Sequence, residues 1–282
     1  MLMDLQYHIR LQKIPSHPTT VLDNDDSLDE RFLRRRREKP PHGVRSRVLL
    51  RDLNIEVPVI AKLNHKIKPP WRVPDLKICN IYQDASKKEM SAQEMCQLFL
   101  QHQEDCHRGT FIFTDGSKQA DYVGSAMAIP SNPPVQRMER LPKDTSVFNA
   151  ELNAVLMALK YFLATDSPLC SIFTDSQSVL SVLQHVFSAH NIVQEIQEIL
   201  FKLKQKGRQV CLCWVPAHVG IIGNELADQT AKEASQLPTV TELPVMSRDI
   251  RGVMDKWQLH CSNVQAIPSN KLREIKKRNW LL

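Results

Sequence analysis

The sequence predicts an α/β fold, a mixed five-stranded sheet flanked by helices, across residues 106–237. Short apolar runs of strand length alternate there with segments whose apolar residues recur every three or four positions, the helical period. The first three runs have short connections and can meander antiparallel. The later runs are separated by helices, as parallel neighbours require.

Thr110–Thr114 reads as a short buried strand, followed by a turn at Asp115-Gly116-Ser117. Tyr122–Ile129 and Val135–Leu141 are the second and third strands. Ser146 can cap a helix running to about Ala164, with Val155, Ala158, Leu159 and Phe162 in its apolar stripe. Ser171–Thr174 is the fourth strand and ends at Asp175. Val179–Phe187 reads as helical, with Val179, Val182, Leu183 and Val186 on one face. Ile192–Lys206 is a further helix, burying Ile192, Ile196, Ile199, Leu200 and Leu203 and stopping at Gly207. Val210–Val215 is the fifth strand. A loop with Gly220 and Gly223 then leads to a last helix, Glu225–Ser235.

Residues 1–105 read as an irregular, partly disordered region. An acidic cluster from Asp23 to Glu30, the run Arg34-Arg35-Arg36-Arg37, and prolines at 40, 41, 58, 69, 70 and 74 leave little room for long elements. The exceptions expected are short strands within Leu49–Ile60 and a helix over Ser91–His102, capped by Ser91 with Glu94 as capping-box partner. Residues 238–282 read as a basic, partly helical tail, with a helix over Arg248–His260.

Composition narrows the function. A formal charge of +6, much of it in the arginine run, suits a polyanionic partner. Seven scattered cysteines do not read as a disulfide framework and fit a reducing intracellular setting, nuclear or cytoplasmic. No apolar stretch approaches the roughly 20 residues a membrane-spanning helix needs. Met1-Leu2-Met3-Asp4 does not open a secretory signal, so no membrane partner is expected.

Four acidic residues stand where acids are costly. Asp115 follows Phe111-Ile112-Phe113, and Asp175 follows Ile172-Phe173-Thr174. Glu151 falls in the first turn of its helix and Asp228 early in the last one. Singly, each has an ordinary explanation as a turn former or a helix-end charge. If the two strands are neighbours and both helices pack on the sheet, the four can converge, and their repulsion then calls for cations. Oxygen-only ligation suits Mg²⁺, with Mn²⁺ as a substitute. Two such ions, roughly 3.5–4 Å apart, can clamp an in-line phosphodiester displacement.

Thr114-Asp115-Gly116-Ser117, Ala150-Glu151-Leu152, Thr174-Asp175-Ser176 and Asn224-Glu225-Leu226-Ala227-Asp228 resemble, in order and spacing, the four motif blocks of the type 1 ribonuclease H family. Trp214-Val215-Pro216-Ala217-His218-Val219-Gly220 resembles that family's mobile histidine loop, with Ala217 where cellular members usually carry glycine. More narrowly, Phe148-Asn149-Ala150-Glu151 and Trp214–Gly223 resemble the domain downstream of reverse transcriptase in some non-LTR retrotransposons. The resemblance implies a ribonuclease H-like sheet and a metal-dependent endonuclease that cuts the RNA strand of an RNA–DNA hybrid. It implies Asp115, Glu151, Asp175 and Asp228 as metal ligands and catalytic residues, and His218 as the residue that assists proton transfer or product release. Gly116, Ser117, Gln177 and Asn224 are the implied substrate contacts, and a reverse transcriptase of the same element is the implied partner. The 2′-hydroxyl, read across the minor groove, is the handle by which such an enzyme tells RNA from DNA.

Two readings compete with this one: a retrotransposon-derived remnant that binds nucleic acid without cutting it, and a recombinase of similar fold acting on duplex DNA. Lys202, Lys204, Lys206 and Arg208 fit a solvated helix end better than a grip on DNA phosphates. Tyr82-Gln83-Asp84-Ala85 lacks the second aspartate of a polymerase box. Cys211 and Cys213 alternate along a strand as packing residues rather than a zinc pair, and His102, Cys106 and His107 have no matching ligand pair.

Overall fold

A computed structural model describes residues 7–8, 10–14, 17, 41–52, 57–62, 72, 76–82, 90–105, 109–246, 249, 252 and 255. The acidic cluster, the arginine run and nearly all of 247–282 lie outside them, so the expected helix over Arg248–His260 does too. The chain divides into two compact units: Met1–Leu63 with Pro244–Leu282, and Asn64–Leu243.

In the first unit, α1 (His42–Asp52) buries Val44 and Val48, four residues apart on one face. It takes up Leu49–Asp52, where the sequence predicts a strand start. The only pairing between 49 and 60 among the described residues is an isolated parallel bridge, Ile60 to Val245.

The second unit holds β1 (Lys77–Cys79), α2 (Ala92–Asp105), β2 (Thr110–Gln119), β3 (Tyr122–Ile129), β4 (Val135–Leu141), α3 (Val147–Leu163), β5 (Leu169–Thr174), α4 (Gln177–Gln184), α5 (Asn191–Gln205), β6 (Gln209–Trp214) and α6 (Ile222–Ala234). The strands form one sheet in the order β1-β6-β5-β2-β3-β4. The meander β2-β3-β4 is antiparallel, and β5, β6 and β1 are added in parallel. The expected α/β architecture is present with six strands rather than five.

The sixth strand, β1, and the helix α2 precede the boundary expected at residue 106. A three-residue strand, Lys-Ile-Cys, carries no period of its own and exists through its pairing with β6. A disulfide joins Cys79 to Cys211 on that pair, 132 residues apart in sequence. Cys211 thus has a covalent partner as well as a packing role. The helix α2 begins with the expected capping box: the Ser91 N–H donates to Glu94 Oε2 at 2.7 Å and the Glu94 N–H to Ser91 Oγ at 3.3 Å. Its Phe99 is buried against Phe113 and Phe173, with ring centroids 5.9 and 5.2 Å away.

Two helices cover opposite faces of the meander. Ser125 Oγ donates to the Ala150 carbonyl of α3 at 2.8 Å, so Ser125 faces α3. Its neighbour Gly124 must face the other way. There a Cβ would strike the Ala231 carbonyl oxygen and lie 2.8 Å from the Ser235 nitrogen, both on the backbone of the α6 region. Backbone cannot rotate away as a side chain can. Gly124→Ala is therefore expected to cost roughly 3 kcal/mol or more of stability, as overpacking does. Urea unfolding of the full chain measures it; a midpoint equal to wild type would refute the packing argument.

Two other expectations change. The structure ends α4 at Gln184, so Val186, predicted on the inward face, is exposed with Phe187. Arg208 is half-buried and donates to the carbonyls of Phe162, Leu163 and Ser167 while its guanidinium stacks on the Phe162 ring. It closes the C-terminus of α3, which separates it in role from the exposed Lys202, Lys204 and Lys206.

Candidate active site

The centre of the site lies where β5 stops and β2 continues. The last β2–β5 pair is Thr114 with Thr174, and the next residue on each side is a carboxylate, Asp115 and Asp175. Asp115 is in mid-strand, not in a turn. The antiparallel partner β3 keeps 115–119 extended, with Asp115 opposite Ala126 and Gly116 opposite Ser125. The turn chemistry of Asp-Gly-Ser gives way because glycine is needed here for a different reason. A Cβ at Gly116 would strike the Glu151 nitrogen and lie 2.6 Å from the Ala150 carbonyl carbon. The missing side chain lets α3 lie directly on β2 and brings Glu151 to the strand.

Asp115, Glu151 and Asp175 consequently offer carboxylate oxygens within 4.8 Å of one another. Asp115 and Glu151 are each only 7% exposed. Burial, aided by the charges of Asp175 and Asp228, pushes the Asp115 carboxyl from its ordinary 3.8 up to about 7, against the pull of the Gly116 N–H and Lys232. Burial and then the charges of Asp115 and Asp175 raise Glu151 well above its ordinary value. Asp175 is raised by burial, with its own N–H, the Asn224 side chain and His218 pulling the other way.

Asp228 belongs to a second group. His218, Glu225 and Asp228 also lie within 4.8 Å of one another, with His218 Nδ1 3.9 Å from Glu225 Oε2. Lys232, one turn along α6, reaches Asp228 Oδ2 at 2.7 Å. His218 is exposed and adopts a left-handed backbone, φ 55°, in a loop that turns again at Gly220, φ 86°. The expected convergence of four carboxylates is thus three in close array, with the fourth beside them. Its charge still raises the other three.

The expected substrate contacts separate. Gln177 is exposed at the start of α4, and Ser117 is half-buried on β2. The N–H of the buried Gly116 favours the charged forms of Asp115 and Glu151. Asn224 is 3% exposed, and its side chain donates to the Asp175 carboxylate. It holds a carboxylate in place from inside the fold. Glu225 is not among the sequence-predicted site residues; its place three residues before Asp228 on one helix is the signal that could have found it. Trp214, whose Nε1–H donates to the Asp175 carbonyl at 3.0 Å, had no sequence signal for that contact.

Two buried carboxylates, Asp115 and Glu151, and the half-buried Asp175 form an oxygen-only donor set. Glu151 Oε2 is buried and has no hydrogen-bond partner. A buried oxygen of this kind is costly unless something positive or protonated meets it. The residues therefore fit a hard divalent cation. The cluster of Cys79, Cys211 and Cys213 sulfurs, also within 4.8 Å, is of the soft type, and two of its members are bonded to each other.

The fold and site together describe an α/β domain with an acidic centre at the ends of its central strands. Residues 107–236 match the family model for RNase H. That match, with the six-stranded mixed sheet and its flanking helices, supports an RNase H domain over this segment. At the level of the family it supports nuclease activity on RNA–DNA hybrids.

Proposed function

We propose that this domain is a divalent-metal-dependent endonuclease that hydrolyses the RNA strand of RNA–DNA hybrids. The observation that carries the reading is the trio of buried Asp115 and Glu151 with half-buried Asp175, with an unpartnered Glu151 oxygen and the group His218, Glu225 and Asp228 beside it. Asp115, Glu151, Asp175 and Asp228 would hold Mg²⁺, or Mn²⁺ in its place. Cations bound there would supply charge neutralisation at the scissile phosphate and activation of the attacking water.

The chain's own residues have separable tasks in this reading. Asn224 favours the charged form of Asp175, and the Gly116 N–H favours those of Asp115 and Glu151. Water attacks phosphorus and the bond to the 3′-oxygen breaks, leaving a 3′-hydroxyl and a 5′-phosphate. His218, exposed and paired with Glu225, carries a proton to or from the reacting oxygens or eases product release; an imidazole suits that work near neutral pH. In this reading Ser117 and Gln177, the accessible members of the expected set, would contact the RNA strand, and the buried Gly116 would act through the carboxylates beside it. The setting in this reading is intracellular and retrotransposon-derived, with a reverse transcriptase of the same element as partner.

The test is cleavage of an end-labelled RNA–DNA hybrid by the full chain. RNA fragments ending in 3′-hydroxyl, formed with Mg²⁺ and suppressed by EDTA, are expected. Hybrid binding without turnover in any divalent metal would overturn the nuclease reading in favour of a binding remnant, and cleavage of duplex DNA instead would point to a recombinase.

A further inference from the structure

Residues 77–82 and 90–105 lie before the stretch that matches the RNase H family, yet they touch the elements that carry Asp115, Asp175, His218 and Asp228. Phe99 packs in one buried cluster with Phe113, Phe173, Val215, Ile221 and Ala227. Phe113 and Phe173 stand two residues before Asp115 and Asp175. Val215 and Ile221 bracket the His218 loop, and Ala227 precedes Asp228.

Two more specific links run from this segment to the site. The Tyr82 ring meets the Trp214 indole edge-on, with centroids 5.6 Å apart, and Trp214 Nε1–H donates to the Asp175 carbonyl at 3.0 Å. Tyr82 is itself held by its hydroxyl, which donates to the Met95 carbonyl of α2 at 3.2 Å. Cys96, on the same helix, donates its S–H to the Gly220 carbonyl at 3.7 Å, two residues past His218. Gly220 is one of the loop's two left-handed positions. The Cys79–Cys211 disulfide and the β1–β6 pairing fasten the segment to the strand that ends in Trp214.

We propose that residues 77–82 and 90–105 form a positioning element for the site, with Cys96 setting the His218 loop through Gly220 and Tyr82 setting the Asp175 backbone through Trp214. Tyr82, Cys96 and Phe99 lie outside both acidic groups and contact only other parts of the fold in the links above. They act by limiting how far the loop and the β5 terminus stray from the productive arrangement, the kind of restraint on which orientation-dependent rates depend. The effect on cleavage rests on the nuclease reading above; the effect on loop geometry does not.

The full chain is compared with Cys96→Ala, Cys96→Ser and Tyr82→Leu. Amide hydrogen exchange over 217–222 is expected to quicken about fivefold in Cys96→Ala and to return toward wild type in Cys96→Ser, which keeps a donor; one weak hydrogen bond is worth a change of that size. The Trp214 indole proton is expected to exchange faster in Tyr82→Leu. Exchange in β3, at the far side of the sheet, serves as reference and stays constant. With hybrid substrate, kcat is expected to fall about fivefold in Cys96→Ala while KM holds, because an orienting contact rather than a binding one is lost. Unchanged exchange over 217–222 in Cys96→Ala, or quickening of 217–222 and β3 alike, overturns the proposal. A wild type that leaves the hybrid intact overturns the nuclease reading instead, and the exchange data then decide the positioning role alone.

Discussion

Asp175→Asn is expected to lower the rate of hybrid cleavage on the order of a thousandfold, with the fold intact. The substitution keeps the shape of the side chain and its neighbourhood with Asn224, but it removes the charge at the point where β5 ends beside Asp115. A site that works by electrostatic stabilisation loses most of its advantage when one charged member is neutralised. The loss should fall on kcat, because the remote contacts that hold the hybrid are untouched. Single-turnover cleavage of a labelled hybrid measures it, with circular dichroism as the check on folding. Cleavage within tenfold of wild type would remove Asp175 from the reaction.

The second large effect concerns stability and has the opposite sign from most active-site changes. In metal-free protein, Asp115 is held near 7 and Glu151 well above its ordinary value, chiefly by burial. A carboxyl whose value is higher folded than unfolded binds its proton better in the folded state, so folding is favoured below the unfolded value. Stability is then lost as pH rises from about 4 through about 7, where the folded chain must ionise buried acids that the unfolded chain ionises freely. In EDTA, the melting temperature is expected to fall across that window. Asp115→Asn should raise it at pH 8 by about 5–10 °C, since a neutral amide avoids the penalty. Mg²⁺ should raise the wild-type melting temperature and leave that of Asp115→Asn nearly unchanged, because binding stabilises only a competent site. Metal-free wild type whose stability is flat between pH 4 and 8 would refute the burial argument.

This trade explains why the acids are noticeable in the sequence at all. Asp115 and Asp175 each follow an apolar strand, where a buried carboxylate is a liability unless a cation or a proton meets it. Their shared phrase, Phe-Thr-Asp, places both at the same level on adjacent parallel strands, and the pairing of Thr114 with Thr174 is the structural form of that likeness. The helix α3 was legible to a residue at each end, because Ser146 accepts from the Asn149 N–H as a cap and the apolar stripe runs without a break. The strands Tyr122–Ile129 and Val135–Leu141 were equally plain, each a local pattern bounded by its own turn.

What sequence reasoning could not reach depends on partners far along the chain. Lys77–Cys79 is a strand only because β6 lies beside it, and Cys79 meets Cys211 only once that pair has formed. Asp-Gly-Ser is good turn chemistry by itself, yet β3 holds it extended and α3 uses the glycine as a place to approach. Asn224 looks like a surface cap until α6 packs and turns it inward to Asp175.

The sequence by itself determined which residue types could carry the proposed chemistry, their order, and the α/β alternation that brings them to one end of a sheet, because charge, apolar period and capping are properties of short stretches. Only the tertiary structure decided that three carboxylates crowd together while Asp228 sits with His218 and Glu225, and that a strand and a helix from before residue 106 brace the loop and the strand end. Those outcomes depend on burial and on contacts between distant segments, and neither has a value until the chain has folded.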